Sequence, residues 1–251
     1  MAATDPFIAA SKPLKEALRS ANLLRSLSIN ALITGEPGTG RHTLAKIILP
    51  DATVVDALDP QLYAYMNKEK RLIVERIDAL DNRVKFYQSV KKEGVRIIAL
   101  GGPDFEGEDP LFFSVRIDLP PLRERPEDIP LLIDKFRREI QMQMGDETPF
   151  QIDPNRLDLS RNAFSLRRGL MLEYLAQTAR EDEILYCNAR FIDRQMDEEG
   201  DIYRQLLYLY EVPLIQKGFE RFKSQLKMAE AFGINRNTLR KKIAEWKERL
   251  N

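Results

Sequence analysis

The sequence predicts an α/β domain with a parallel sheet, followed by a segment that is helical to the end of the chain. Four short apolar runs alternate with helical patterns in the first 120 residues, and a glycine-rich turn joins the first run to a helix. Runs rich in Ile and Val are typical of strands in a parallel sheet that helices cover on both faces. After residue 125 only helical patterns follow.

Each element has its own signal in the sequence. An amphipathic helix is predicted over residues 12–27, since apolar side chains recur there at three- and four-residue steps. The apolar runs predict strands at 31–34, 52–57, 71–77 and 95–100. Further helices are predicted between the glycine turn and Pro50, within 81–94, and from Pro126, where Glu127 and Asp128 suit a helix N-terminus.

Charge is distributed unevenly along the chain. The 39 basic and 39 acidic residues cancel, which argues against a protein that coats nucleic acid with its whole surface. The last 35 residues, however, hold ten basic and four acidic side chains, a net charge of +6. This asymmetry favours a polyanionic partner for the carboxyl end.

The remaining composition points to a reducing compartment. The single cysteine, Cys187, cannot form an intramolecular disulfide, and the N-terminus lacks the apolar segment of a secretory signal. No apolar run approaches the roughly 18 to 20 residues that span a bilayer. We therefore expect a cytoplasmic protein with no membrane partner.

The stretch GEPGTGRHT has the form of a phosphate-binding loop. Glycines let several backbone N–H groups point into one concavity, and the following helix presents its positive N-terminus to the same place. Position 41, where such loops carry lysine, holds arginine. The candidate nucleotide-binding residues of this stretch are Gly35, Glu36, Pro37, Gly38, Thr39, Gly40, Arg41 and His42.

The loop and two later strings resemble the bacterial sigma-54 activators, which are AAA+ ATPases of the NtrC type. GEPGTGR is similar to their Walker A loop, VRIIAL to their sensor I strand, and DLPPLRERPEDIPLLIDKF to the entry of their helical lid. The resemblance covers roughly residues 10 to 180. It implies a P-loop-like sheet domain with a helical lid, in which Glu75 and Arg167 would complete the nucleotide site.

Several positions depart from that family. Guanidinium at Arg41 is bulkier than the family's lysine and is not an equivalent point charge. In RLIVERI, Glu75 keeps one carboxylate of the family's Asp-Glu pair, but Arg76 cannot act as a general base. VRIIALGG places Gly101 where the family carries its sensor asparagine.

Two further departures concern assembly and output. Ser114 lies where the family's arginine finger is expected, and Arg116 is a poor substitute; the GAFTGA loop that contacts sigma-54 is absent. We therefore predict no ATPase activity, no catalytic residue, no metal ligand and no required cofactor, with ATP or ADP as ligands that the loop could hold. A silent scaffold, a nucleotide-binding switch or weak ATPase that controls oligomeric state, and an interaction module for a related activator remain alternatives.

The carboxyl end predicts a helix-turn-helix. One helix has Leu226, Ala229 and Phe232 on one face, a turn follows at Gly233, and Asn235 is a candidate N-cap for a second helix. The second helix buries Leu239, Ile243 and Trp246. Its outer face carries polar and basic side chains that suit base edges and phosphates in a major groove.

Residues 202–243 resemble the nucleoid protein Fis and the Fis-type domain of sigma-54 activators, through the E-x-P-L string at 211–214 and the GINRNTLRKK string. The resemblance implies a DNA-binding transcription regulator that dimerises through residues 202–222, with double-stranded DNA and a related activator or RNA polymerase component as partners. The candidate DNA-binding residues are Asn235, Arg236, Asn237, Thr238, Arg240, Lys241 and Lys242. The candidate apolar dimer contacts are Leu206, Leu207, Leu209, Val212, Leu214, Ile215 and Phe219.

These patterns predict three domains. They are a degenerate AAA+ α/β subdomain at 1–125, a helical lid at 126–194 and a Fis-type domain at 195–251, with a linker at 193–201.

Overall fold

Two units make up the chain, residues 1–178 and 179–251, in a computed structural model that describes residues 7–107, 112–196 and 201–250. The first unit contains the sheet and two lid helices. The described regular structure of the second unit is helical. Helix α7, Glu181–Asp193, belongs to the second unit, whereas the sequence grouped it with the lid. The predicted linker includes residues 197–200, which lie outside the described residues.

A five-stranded parallel sheet in the order β2-β3-β4-β1-β5 organises the first unit. The strands are β1 Ala31–Gly35, β2 Thr53–Asp56, β3 Arg71–Glu75, β4 Arg96–Gly101 and β5 Val115–Leu119. In the register, Ile33 of β1 lies between Leu100 of β4 and Ile117 of β5. The carboxyl ends of the strands therefore share one edge, which is where ligands bind in sheets of this kind.

The helices of the first unit are α1 Lys12–Leu24, α2 Arg41–Ile48, α3 Leu62–Lys68, α4 Arg83–Glu93, α5 Ile129–Met144 and α6 Ala163–Thr178. Besides α7, the helices of the second unit are α8 Ile202–Leu206, α9 Tyr208–Phe222, α10 Gln225–Ala231, α11 Arg236–Glu245 and α12 Lys247–Leu250. Among the described residues, no helix combines the length and apolar character that crossing a membrane requires.

Apolar side chains fill both faces of the sheet, as the sequence predicted. Alternate residues of β1 point to opposite sides, so Leu32 joins the core under α3 and α4, whereas Ile33 joins the core under α1 and α2. Both side chains are almost fully buried. The parallel sheet is thus a central layer between two layers of helices.

Two elements were not predicted from the sequence. Strand β5 alternates Val115, Ile117 and Leu119 with charged residues, a short edge-strand pattern that is weaker than the continuous apolar runs of the inner strands. Helix α3 is a single short element with two buried side chains, Leu62 and Met66. Neither is long enough for periodicity to identify it.

The lid has its own small core, which Phe136 and Ile140 of α5 form with Leu166, Leu170 and Tyr174 of α6. The predicted helix at Pro126 begins as a 3₁₀ turn, Pro126–Asp128, and the α-helix starts at Ile129. Glu127 and Asp128 lie at the start of this segment, as the sequence predicted, but Asp128 does not cap the helix through its side chain.

Asp128 instead forms a buried ion pair that joins three segments of the first unit. Its carboxylate accepts hydrogen bonds from the backbone N–H groups of Ala10 at 2.6 Å and Ser11 at 2.9 Å, and from the Ser11 hydroxyl at 2.8 Å. Arg125 lies 3.4 Å from Asp128 and donates to the carbonyl of Thr39 at 2.8 Å. The N-terminal segment, the glycine loop and the lid entry therefore meet at one charge pair.

Replacing Asp128 with Asn should destabilise the first unit by about 2 to 5 kcal/mol, because a buried guanidinium would lose its charged partner. Asp134→Asn is the matched control, since the side chain of Asp134 is 60% exposed and its ion pair with Arg137 is long, at 3.7 Å. Urea denaturation followed by circular dichroism measures both variants. Equal midpoints for Asp128→Asn and the wild type would contradict a structural role for the pair.

Candidate functional site

The glycine loop connects β1 to α2 and is built for close approach of a ligand. Gly35, Gly38 and Gly40 have φ values of 148°, 84° and 106°, a region that residues with a side chain rarely adopt. Gly40 is the N-cap of α2 and offers no side chain to the first turn. The free N–H groups there and the helix dipole favour an anion.

The Glu36 carboxylate ties this loop to the lid. Arg123 donates to both of its oxygens, at 2.7 and 3.0 Å, and the amide of Asn162 donates to it at 3.0 Å. The same amide donates to the carbonyl of Pro37 at 3.0 Å, while the side-chain oxygen of Asn162 accepts from the N–H of Leu122 at 2.6 Å. Asn162 is buried, so it serves as a fixed bridge between loop and lid.

Gly38 lies directly against the start of α6. Its carbonyl accepts a hydrogen bond from the N–H of Ala163 at 3.2 Å. A Cβ at this position would lie 2.7 Å from the carbonyl oxygen of Arg161 and 3.2 Å from the ring of Phe164. Glycine is therefore required here by the lid as well as by the positive φ.

Two aromatic rings flank the loop. Phe7 lies 3.1 Å from the position that a Cβ on Gly40 would occupy, and Phe164 lies at Gly38 with 58% of its surface exposed. No pattern in the sequence identifies either ring, since the contact of Phe7 joins positions far apart in the chain.

Arg41 links the glycine loop to the edge of the sheet. Its guanidinium donates to the carbonyl of Gly101 at the end of β4. Burial lowers the pKa of Arg41, and the neighbouring carboxylates of Asp78 and Glu75 oppose that shift. The side chain that stands in for the loop lysine is thus engaged with the sheet edge.

The remaining candidates around the loop lie apart from it or are paired elsewhere. Arg76 forms an ion pair with Asp56 at 2.6 Å, between the ends of β3 and β2. Arg167 lies one turn beyond Ala163 in α6, but it faces Glu139 at 3.5 Å and donates to Gln143 at 3.2 Å. His42 is exposed on the first turn of α2.

Hydrogen bonds also shift the pKa of Asp56. Partial burial raises the pKa of this carboxyl, but the hydrogen bond from the N–H of Leu58 and the contact with Arg76 outweigh burial and lower it overall. Among the residues that the structure describes, no cluster of three or more His, Cys, Asp or Glu side chains is placed to hold a metal ion.

A tight turn joins helices α10 and α11 of the second unit. Gly233 has φ 66° in the turn, and the N–H of Ile234 donates to the carbonyl of Ala229 at 3.0 Å. Asn235 caps α11, because its side-chain oxygen accepts from the N–H of Thr238 at 2.8 Å. Leu239 faces inward and is fully buried. The predicted turn and N-cap are confirmed.

Most candidate DNA-binding side chains share the exposed face of α11. Asn235, Arg236, Asn237, Arg240 and Lys241 are exposed, and Thr238 is half-buried.

Lys242 differs from the other candidates, because it pairs with the buried carboxylate of Glu211 in α9. Trp246 donates to the same carboxylate at 2.7 Å. Leu226, which the sequence places on one face with Ala229 and Phe232, is 54% exposed, whereas Met228 is buried. Glu211 thus fixes α11 against α9, a role that the sequence did not reveal.

Solved structures share the fold, although no family model and no curated protein matches the chain. The chain is similar to NtrX from Brucella abortus in complex with ATP, with a TM-score of 0.60 and 18% identity over 97% of this chain and 70% of that chain. For the same protein in complex with ADP the TM-score is 0.57, with 18% identity over 96% and 70% of the two chains. At this identity the similarities show a shared fold.

We expect the Glu36 contact with the lid to depend on pH. Hydrogen bonds from Arg123 and then from Asn162 lower the pKa of Glu36 below its usual range. The carboxyl therefore takes up a proton in the unfolded state at a higher pH than in the folded state. The stabilisation from Glu36 is present above about pH 4.3 and is lost as the pH falls below that value. Glu36→Gln should lower the melting temperature at pH 7 and have a smaller effect near pH 3.5.

Glu127→Gln serves as the control, because Glu127 is exposed beside the same lid entry. Thermal unfolding at the two pH values measures all three proteins. An equal effect of Glu36→Gln at both values would show that the charge on Glu36 does not stabilise the loop.

Proposed function

We propose that this protein is a DNA-binding transcription regulator whose AAA+ unit does not hydrolyse ATP. The observation that carries the proposal is the capped helix α11, which exposes four polar or basic side chains on the face opposite the buried Leu239. A short helix held by its N-cap and its inner face is the kind of element that enters a major groove.

The chemistry of the exposed face suits duplex DNA. Arg236 and Asn237 lie at the amino end of α11, where guanidinium can pair with guanine and a side-chain amide with adenine. Arg240 and Lys241 lie one turn further on and suit phosphate contacts. Because Glu211 engages Lys242, we assign that lysine to positioning the helix rather than to DNA contact.

A homodimer through α8 and α9 would supply a second recognition helix. Tyr203, Leu207, Tyr210 and Leu214 recur at four- and three-residue steps, and the two tyrosines are 75% and 70% exposed. Val212 and Ile215, predicted at the dimer interface, are already buried within the unit. The proposed interface is therefore this exposed stripe, and it favours an operator with two-fold symmetry.

The nucleotide cleft supports binding better than turnover. The glycine loop and the first turn of α2 fit a phosphate group, and the similar structures contain ATP or ADP. Hydrolysis also needs a base for water, and the residue after Glu75 is an arginine bound to Asp56. Nucleotide, if held, would act as a switch for the oligomeric state, which is the second candidate function.

The first test is binding of duplex DNA over a salt series with the full-length protein. Arg240→Ala with Lys241→Ala should weaken binding and reduce the slope of log affinity against log salt by about 2 per bound subunit, since two phosphate contacts are lost. Lys12→Ala with Lys15→Ala removes the same charge from the exposed face of α1 and should leave both quantities unchanged. Unchanged binding by the α11 variant would remove this helix from its proposed role.

The second test is phosphate release from ATP with magnesium. We expect the wild type to release phosphate no faster than Glu75→Gln, because neither protein has a catalytic base in place. Glu75→Gln keeps the size of the side chain and removes the remaining carboxylate. Brisk release by the wild type that this substitution abolishes would assign an ATPase activity to the protein.

A further inference from the structure

Arg41 occupies a corner between the glycine loop and the carboxyl ends of β3 and β4. One of its terminal nitrogens donates to the carbonyl oxygen of Gly101, the last residue of β4. The carboxylates of Asp78 and Glu75 act on the same guanidinium. One carbonyl and two carboxylates thus act on a cation that the chain itself supplies.

Neighbouring side chains leave no room for a side chain at position 101, so this residue offers Arg41 only its backbone carbonyl. A Cβ on Gly101 would lie 2.8 Å from Phe105 and 3.3 Å from Ile77, so a polar side chain does not fit at this position. A Cβ on Gly102 would lie 3.4 Å from a carboxylate oxygen of Asp78. The acid therefore lies close to the strand end that Arg41 contacts.

The position of Arg41 in α2 makes this contact informative. It is the first residue of the helix, where the dipole disfavours a positive charge. A hydrogen bond between a charged donor and a carbonyl is stronger than a neutral one, and the two carboxylates add to it. These contacts offset the unfavourable position only while the guanidinium reaches the sheet edge.

We infer that Arg41 is an internal ligand of the AAA+ unit. It links the glycine loop to the end of β4 without any bound molecule, and it competes with the magnesium-bound phosphates of an adenine nucleotide for the same corner. The loop is held in place by the chain, so a nucleotide adds little stability to the wild type. This inference is independent of DNA binding.

Because ligand binding is coupled to folding, thermal unfolding can test the inference. A ligand that binds the folded state raises the melting temperature according to its affinity. Arg41→Lys replaces the planar, two-pronged donor by a point charge on a flexible stem, which suits a phosphate better than it suits this fixed contact. The variant should therefore lose stability without a nucleotide and regain part of it when ADP and magnesium are present.

Thermal unfolding of the full-length chain provides the test. Without ligand, Arg41→Lys should melt about 3 to 8 °C below the wild type. ADP with magnesium should raise the melting temperature of Arg41→Lys and leave that of the wild type unchanged. Arg25→Lys, an exposed position at the end of α1, is the matched control and should melt as the wild type does.

The single tryptophan supplies an internal control. Trp246 lies in the second unit, so its fluorescence should report the same transition in the wild type and in Arg41→Lys. Two results would overturn the inference: Arg41→Lys melts with the wild type in the absence of ligand, or ADP with magnesium raises the melting temperature of the wild type. The second measurement uses the wild type itself, so it decides the matter even where Arg41→Lys does not fold.

Adding magnesium without a nucleotide provides a further test. It should leave the melting temperature of the wild type unchanged, because the guanidinium already holds the corner. A rise on adding magnesium would overturn the inference. DNA binding by Arg41→Lys should match that of the wild type, so a failure of the DNA-binding proposal and a failure of this inference give different results.

Discussion

The buried ion pair between Arg125 and Asp128 is the constraint on which the first unit depends. The two side chains are 3% and 0% exposed, a position in which neither charge is stable without its partner. Asp128 orders the chain before α1, and Arg125 holds the carbonyl of Thr39 in the glycine loop. The geometry of the loop therefore follows from a contact between segments more than 80 positions apart.

Further contacts hold the glycine loop in addition to this ion pair. Arg123 and Asn162 connect the lid to the loop through Glu36, and Arg41 connects the loop to the sheet edge through Gly101. Side chains of the lid and the edge of the sheet thus hold the glycine loop together with the buried pair.

Sequence patterns predicted the sheet and the helix pair α10 and α11 well, because both follow from local periodicity and from turn residues. The four strands β1 to β4, the turn at Gly233 and the cap at Asn235 are examples. Strand β5 was missed, because charged residues interrupt its apolar pattern. The site was predicted less completely, since Phe7, Arg123 and Asn162 reach the loop only through tertiary contacts.

The sequence by itself determined which chemical groups this protein has at its two candidate sites. It established a glycine loop with arginine in place of lysine, an arginine after the acid of β3, and a basic carboxyl end. Only the tertiary structure decided how these groups are used. It directed Arg41 to Gly101 and Lys242 to Glu211, because a charged side chain finds its partner through space and the spacing of residues along the chain does not encode that choice.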